Sequence, residues 1–220
     1  MMNYAQARTN MVDGQIHPSG VIDPALLSAF ETVPRELFVP EINRGVAYYD
    51  EEVSLGNDRV LIEPLILSKM LQELELKQSD VVLDIGGGSG YSAAILSSLV
   101  TTVVALEENE TLLKQAQKIW NKIEACNIVG VEGKLKKGYS EQAPFDVIIL
   151  NGAVSEIPQN ICEQLAIGGK LITVLTKPDQ TMGQVVLVKA IGESRFSSYT
   201  LFDASASYLP GFTPKTVFSF

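Results

Sequence analysis

The chain has 220 residues, of which 46% are hydrophobic, so it can bury a sizeable core and its composition excludes a disordered chain. Seventeen basic against 26 acidic residues give a net charge of −9, which argues against binding to nucleic acid. Two cysteines are too few for a disulfide framework, and a single histidine excludes a multi-histidine zinc site. The N-terminus lacks a signal-peptide core, and no apolar run approaches the roughly 18 residues of a membrane span. We therefore expect a cytoplasmic globular protein.

The front third of the chain is predicted to form helices and loops. Asp23-Pro24 provides an N-cap and a first-turn proline for one helix, and Glu63-Pro64 begins a second. Between these helices the tract 47–60 is rich in polar and turn-forming residues, which indicates irregular backbone. We interpret residues 1–76 as an accessory layer that lies against a larger core.

From residue 77 onward, short apolar strands alternate with helices. The predicted strands span 81–85, 102–106, 128–131, 145–150 and 170–175, and the helices among them span 91–99, 111–125 and 157–166. Two further strands, 184–191 and 196–202, have no helix between them and are predicted to pair antiparallel. This order indicates an α/β fold, in which residues 77–220 form a doubly wound, mostly parallel seven-stranded sheet. We expect core and accessory layer to make one compact unit.

A glycine-rich stretch, DIGGGSG (84–90), lies between the first core strand and the helix that follows it. Its spacing matches neither the G-x-G-x-x-G of a dinucleotide loop nor a P-loop, which argues against a nicotinamide-dependent dehydrogenase. The acidic Asp84 beside the loop suits a ligand that has a positive end and no phosphate. S-adenosylmethionine is such a ligand, and we predict that Asp84, Gly86, Gly88 and Gly90 bind it. A purely steric glycine turn is the alternative.

Polar side chains also follow two other core strands. Glu107, with Glu108 beside it, ends the second strand about 20 residues after the loop, where a carboxylate can accept both hydroxyls of a ribose. The alternative for Glu107 is a solvated strand end. Asn151 follows the strand at 145–150, where this fold places residues near cofactor and substrate. We therefore add all three residues to the predicted cofactor site.

Several stretches together resemble the protein-L-isoaspartate O-methyltransferase family, a branch of the class I S-adenosylmethionine-dependent methyltransferases. They are VPRELFVPE (33–41), MVDGQI (11–16), the Tyr-x-Asp and Gly pattern of 48–56, LDIGGGSGYSAAIL (83–96), PFDVIILNGAVSEIP (144–158) and LAIGGKLI (165–172). The resemblance covers nearly all of residues 5–175. It implies a Rossmann-like methyltransferase fold and the methylation of isoaspartyl carboxylates in damaged proteins, with Pro64 and Leu65 lining the site.

The sequence departs from the family pattern just before the second accessory helix. Ile62 stands where the family has an active-site serine or threonine, Arg59 where it has a glutamine, and Lys134 where an aspartate contacts adenine. The side chain of Ile62 cannot form hydrogen bonds, and we expect Arg59 to compensate by holding a substrate carboxylate. Glu63 would repel that carboxylate and suits better a general base for an amine or hydroxyl acceptor. For Arg59 and Glu63, ordinary surface charge is the alternative.

We therefore predict an S-adenosylmethionine-dependent O-methyltransferase with Arg59, Ile62 and Glu63 at the catalytic positions. The alternatives are a relative that binds the cofactor but methylates a different substrate, and a cofactor-binding protein without catalysis. The expected partners are isoaspartyl-containing proteins or peptides, with neither nucleic acid nor membrane, and the oligomeric state is not specified. The aromatic stretch 205–220 is a candidate cover for the site or a partner surface.

Overall fold

The structure is a computed structural model, and it describes residues 3–178 and 180–214. At its centre lies a seven-stranded sheet with the strand order β5-β4-β3-β6-β7-β8-β9. Its strands are β3 (Val81–Ile85), β4 (Thr102–Glu107), β5 (Ile128–Glu132), β6 (Phe145–Val154), β7 (Leu165–Leu175), β8 (Gly183–Gly192) and β9 (Arg195–Ala204). The helices are α1 (Tyr4–Met11), α2 (Pro24–Thr32), α3 (Pro64–Leu74), α4 (Tyr91–Ser97), α5 (Glu110–Lys122) and α6 (Gln159–Cys162).

The sheet is parallel from β5 to β7, and β8 and β9 then add two antiparallel strands. Strand β3 pairs with β4 on one side and with β6 on the other, so the strand order reverses beside β3. The central strands are continuous apolar runs because helices and loops bury both faces of the sheet. The predicted doubly wound sheet and its antiparallel end are confirmed.

The accessory residues pack on one face of the sheet through a single large apolar cluster. Helix α2 begins where the sequence predicts, and Asp23 Oδ1 accepts hydrogen bonds from the amides of Ala25 at 2.8 Å and Leu26 at 3.3 Å. Helix α3 turns Leu67, Met70 and other apolar side chains into the cluster. The division of the chain between residues 76 and 77 stays a prediction.

Two predicted elements are wrong. The tract 47–60 is not irregular throughout, because it ends in a hairpin of β1 (Val53–Gly56) and β2 (Arg59–Leu61). The two residues between these strands, Asn57 and Asp58, have φ angles of 51° and 56°, which asparagine and aspartate tolerate better than most residues.

The second error is the predicted helix 157–166, of which only the four residues of α6 are helical. The chain enters β7 five residues before the predicted strand 170–175, because Leu165 already pairs with Phe145 across an irregular stretch of β6 and β7. Helix α1 also ends at Met11, and a π-helical turn continues to Ile16. None of the helices in the described ranges has the length and apolar character needed to cross a bilayer.

Candidate cofactor and active site

The glycine-rich loop connects β3 to α4 at the carboxyl edge of the sheet, beside the reversal of strand order. Gly86, Gly88 and Gly90 have φ angles of 72°, 62° and 88°, a region that favours glycine. A Cβ atom on Gly90 would lie 2.5 Å from the ring of Trp120, whose indole N–H donates to the Gly90 carbonyl at 2.9 Å. The loop therefore needs glycine both for its backbone angles and for this close packing.

Asp84 lies directly under the loop and is 1% exposed. Its Oδ1 accepts a hydrogen bond from Asn151 Nδ2, and its Oδ2 accepts one from Ser92 Oγ, both at 2.7 Å. Burial raises the pKa of Asp84 to about 6, although these two hydrogen bonds act in the opposite direction. Within the described residues no basic side chain forms a salt bridge with Asp84. Asp84 is thus a buried carboxyl group whose hydrogen-bond partners are neutral.

Glu107 lies at the end of β4, 3% exposed, and its main partner is Arg59 from β2. The guanidinium of Arg59 donates through Nη1 to Oε1 and through Nη2 to Oε2, the latter at 2.8 Å, and Nη2 also donates to the Gly86 carbonyl at 2.8 Å. Arg59 itself is 4% exposed. This placement differs from the expectation that Arg59 holds a substrate carboxylate, because the two Nη groups of its guanidinium, the Arg59 fork, already bind a carboxylate of the protein.

Three backbone amides complete the environment of Glu107. Gly88 donates to Oε2 at 3.1 Å, and Glu108 and Asn109 both donate to Oε1 at 3.0 Å. A carboxylate offers about four lone-pair sites, so five donors saturate both of its oxygens. Glu107 therefore has no free acceptor for a ribose hydroxyl in this arrangement.

Apolar side chains fill the space above the loop. A Cβ on Gly86 would lie 2.7 Å from Leu209 and 3.2 Å from Leu135, and a Cβ on Gly88 would lie 2.7 Å from Leu55. The gap between the loop and residues 60–62 is closed, with a free volume of about 0 Å³. The gap beside Glu107 and Trp120 has a volume of about 10 Å³. A nucleoside-sized ligand needs a pocket of roughly 300 Å³ or more.

Of the three predicted catalytic positions, Arg59 begins β2, and Ile62 and Glu63 lie between β2 and α3. Ile62 is buried, and its carbonyl accepts a hydrogen bond from Arg35 Nη2 at 2.7 Å. Glu63 is half-buried, and burial, followed by the charges of the neighbouring segment, raises its pKa. Those charges belong to Asp50, Glu52 and Glu51. Glu63 therefore lies in an acidic environment.

The remaining predicted cofactor residues divide into two places. Pro64 and Leu65 begin helix α3, and the amide of Leu65 donates to Asp50 Oδ1 at 3.3 Å. Glu108 lies at the rim of a separate cavity of about 620 Å³, where its carboxylate is 3.7 Å from Lys134 Nζ. Asp84, Glu107, Asn151 and the glycines thus come together at the loop, whereas the side chain of Glu108 lines the other cavity.

Two contributors to the site are not among the predicted site residues. Arg35 is fully buried, donates from Nε to the Ala47 carbonyl at 2.7 Å and lies 4.8 Å from the centre of the Tyr91 ring. Leu209, from the C-terminal segment, packs on the loop glycine Gly86. For Arg35 the signal was its place in the stretch 33–41, and for Leu209 it was the aromatic stretch that was expected to cover the site.

The chemistry of these groups suits S-adenosylmethionine, but the space does not. Asp84 can face a cation, and Ser89 Oγ and Asn151 Oδ1 are buried atoms without a hydrogen-bond partner among the described residues. However, the predicted ribose acceptor Glu107 is saturated by Arg59 and the amides, and the two cavities that border the loop glycines have volumes of only about 0 and 10 Å³. In this arrangement the residues do not admit the adenosyl group.

A doubly wound sheet with this loop, flanked by carboxylates and without phosphate-binding spacing, defines a class I methyltransferase. The family model for "Protein-L-isoaspartate(D-aspartate) O-methyltransferase" matches residues 6–200. The chain therefore belongs to the protein-L-isoaspartate O-methyltransferase family, whose members are S-adenosylmethionine-dependent O-methyltransferases.

Individual relatives agree with this assignment. A protein-L-isoaspartate O-methyltransferase of Desulfotalea psychrophila is 40% identical over 170 residues, which cover 77% of this chain and 79% of the relative. Protein-L-isoaspartate O-methyltransferase 1 of Syntrophobacter fumaroxidans is 35% identical over 190 residues, covering 86% of this chain and 88% of the relative.

Two solved structures are similar in fold. A protein-L-isoaspartate O-methyltransferase superposes with a TM-score of 0.80 and 22% identity, covering 94% of this chain and 67% of the other. A putative protein-L-isoaspartate O-methyltransferase of Plasmodium falciparum, solved in complex with S-adenosyl-L-homocysteine, gives a TM-score of 0.76 and 20% identity, covering 94% of this chain and 97% of the other. Both likenesses support the fold described for this chain.

Proposed function

We propose that this chain methylates isoaspartyl carboxylates in proteins or peptides and uses S-adenosylmethionine as the methyl donor. Asp84 carries the proposal, because its buried carboxyl group has no basic partner among the described residues and a positively charged ligand would offset the cost of its ionised form at pH 7. Asn151 and Ser92 hold Asp84 in a fixed orientation under the loop. Membership of the family supplies the reaction and the substrate class.

The loss of the family's active-site hydroxyl at Ile62 is compatible with this reaction. A carboxylate acceptor is already ionised at pH 7 and needs no general base. Ile62 offers an apolar wall instead of a hydrogen bond, and Arg35 fixes the main chain at that point through the Ile62 carbonyl. We expect the wall to exclude water while positioning the substrate less firmly.

The acidic surroundings of Glu63 favour a second candidate, a relative that methylates an amine or a neutral acceptor. The charges of Asp50, Glu51 and Glu52 add to burial in raising the pKa of Glu63, and together they would repel an incoming carboxylate. A carboxyl group with a raised pKa also suits general-base catalysis on such an acceptor.

Transfer of labelled methyl from S-adenosylmethionine tests both candidates. The acceptors are an isoaspartyl peptide, its aspartyl twin and a lysine-rich peptide, and the Desulfotalea psychrophila relative is the positive control. Label on the isoaspartyl peptide alone supports the proposal. Label on the lysine-rich peptide alone supports the second candidate. If neither the isoaspartyl nor the lysine-rich peptide is labelled while the control enzyme is active, the proposal and an amine acceptor for the second candidate are both contradicted.

We also propose that the protein works in the cytoplasm on isoaspartyl-containing partner proteins. Cys126 is exposed and Cys162 is buried, and both are free thiols, which suits a reducing compartment. Fractionation of the source cells, followed by detection of the protein in each fraction, checks this proposal. Recovery in a membrane or secreted fraction would contradict it.

A further inference from the structure

Two separate segments close over the glycine loop. One is the hairpin β1–β2, which contributes Arg59 and Leu55, and the other is the C-terminal segment 205–213, which contributes Leu209. Ser207 joins the segments, since its amide donates to Glu52 Oε1 at 2.7 Å and its hydroxyl to Glu52 Oε2 at 2.5 Å. The cover is therefore a connected layer of the protein.

The C-terminal segment is also attached to the sheet. The amide of Leu209 donates to the Ala153 carbonyl at 2.9 Å, and Ser207 accepts a hydrogen bond from the Ala153 amide at 2.8 Å through its carbonyl. The hydroxyl of Tyr208 donates to the Thr176 carbonyl at 2.9 Å. These bonds attach the segment that places Leu209 against Gly86 to the end of β6.

Arg59 makes with Glu107 the same kind of contact that a ribose would make. Its guanidinium presents two parallel N–H donors to the two carboxylate oxygens, as two neighbouring ribose hydroxyls would. Glu107 cannot accept both sets, because its oxygens already receive the amides of Gly88, Glu108 and Asn109. Arg59 and the ribose of a nucleoside ligand therefore exclude each other.

A cavity beside Glu108 could accommodate the Arg59 side chain in another conformation. Arg59 lines the cavity of about 620 Å³ at the edge of the site, where the other charged side chains are the basic Lys134 and the acidic Asp58, Glu108 and Glu110. Glu108 and Glu110 already pair with Lys134 at 3.7 Å and Lys114 at 2.5 Å, so Asp58 is the lining acid that forms no salt bridge within the described residues and can receive the guanidinium. The movement needs a change of side-chain conformation at the end of the β1–β2 turn.

We propose that Arg59 is an internal competitor of the cofactor and sets the affinity of this chain for S-adenosylmethionine. The adenosyl group binds after the guanidinium leaves Glu107 and turns into the acidic cavity. This inference rests on the proposed function. It assigns to Arg59 a role in cofactor affinity and removes it from the substrate site.

The test is calorimetric titration of the full chain with S-adenosyl-L-homocysteine, which needs no turnover. The variant Arg59→Gln removes the fork, and Arg59→Lys keeps the charge but loses bidentate geometry. The matched control is Arg44→Gln, because Arg44 pairs with the exposed Glu41 at 3.8 Å and not with Glu107. Thermal unfolding of each variant verifies that it is folded.

We expect Arg59→Gln to bind at least about tenfold more tightly than the unchanged chain, since a lost charge-assisted competitor frees Glu107. Arg59→Lys should be intermediate, and Arg44→Gln should equal the unchanged chain. Equal or weaker binding by folded Arg59→Gln, alongside measurable binding by the unchanged chain, would overturn the inference and leave the proposed function standing. If Arg59→Gln does not fold, the affinity of Arg59→Lys is compared with that of the unchanged chain in the same way. No binding by any folded variant would contradict both.

Discussion

Two buried arginines of this protein have opposite kinds of partners. Arg35 donates to the main-chain carbonyls of Ala47 and Ile62 and stacks on Tyr91, so it links the loops of the accessory layer. Arg59 forms a fork with Glu107, a carboxylate at the carboxyl edge of the sheet. The partners of Arg35 are main-chain carbonyls and an aromatic ring, whereas Glu107 is the predicted ribose acceptor. Burial alone therefore does not distinguish a structural arginine from one that competes with a ligand.

The largest expected effect concerns the structural arginine. Arg35→Ala should lower the free energy of unfolding by about 4 kcal/mol, because it leaves two buried carbonyls without donors and creates a cavity beside Tyr91. Urea unfolding of the purified variant measures the loss. Arg44→Ala, at the surface, should change stability by less than about 0.5 kcal/mol. A loss at Arg35 as small as that of Arg44 would contradict a structural role.

Asp84 is a buried carboxyl group of the site that, unlike Arg59, has no oppositely charged partner among the described residues. Its pKa is raised to about 6, so the folded protein binds more protons than the unfolded chain between about pH 4 and pH 6, and stability falls as the pH rises through that window. Asp84→Asn should remove this fall and add about 3 kcal/mol at pH 7, because a shift of about two units is relieved.

Urea unfolding of Asp84→Asn from pH 4 to pH 7 measures the difference. The amide can keep the contacts with Asn151 and Ser92, which makes the substitution close to isosteric. The same variant should lose affinity for S-adenosyl-L-homocysteine. A variant that is less stable than the unchanged chain at pH 7 would show that the charge of Asp84 serves the fold.

Arg59→Gln should cost less than Arg35→Ala, about 2 kcal/mol. Glu107 keeps three amide donors after the substitution. Its buried charge therefore stays partly compensated, and the loss of stability is smaller than for a buried ion pair whose remaining member has no other partner. Thermal unfolding with and without S-adenosyl-L-homocysteine tests the comparison. The ligand should stabilise Arg59→Gln more than the unchanged chain, and equal stabilisation would erase the distinction between the two arginines.

The smallest expected effect is at Ile62. If the apolar wall is sufficient for a carboxylate acceptor, Ile62→Ser should change isoaspartyl methylation by less than about tenfold, in line with one hydrogen bond. Ile62→Val is the matched control, because it keeps the position apolar. Initial rates on an isoaspartyl peptide provide the measurement. A rise well beyond tenfold would show that the missing hydroxyl limits the reaction in this chain.

The core of the fold was predictable because its signals are local. The strand β3, the loop 84–90 and helix α4 follow each other within a short stretch, and their apolar runs and glycines mark the elements directly. The placement of Asp84 under the loop follows from the same stretch. The prediction of a helix over 157–166 was wrong because its apolar residues also fit a strand. Leu165 pairs with Phe145, which lies 20 residues earlier in the chain.

The Arg59–Glu107 pair was not predictable because 48 residues separate its members. A partial signal was present in the hairpin, where Arg59 and Leu61 alternate with the half-buried Val60 and so share a face. That alternation places Arg59 on the buried face, but nothing local indicates which acid receives it. Its match to a family position suggested substrate binding, and the strand pairing placed the guanidinium at the cofactor loop instead.

The most direct test of the internal competition is a crystal structure of the unchanged chain with S-adenosyl-L-homocysteine. We predict that the guanidinium of Arg59 leaves Glu107, turns toward Asp58, Glu108 and Glu110, and is replaced at Glu107 by the two ribose hydroxyls. A structure with the ligand bound and the Arg59–Glu107 fork intact would contradict the account.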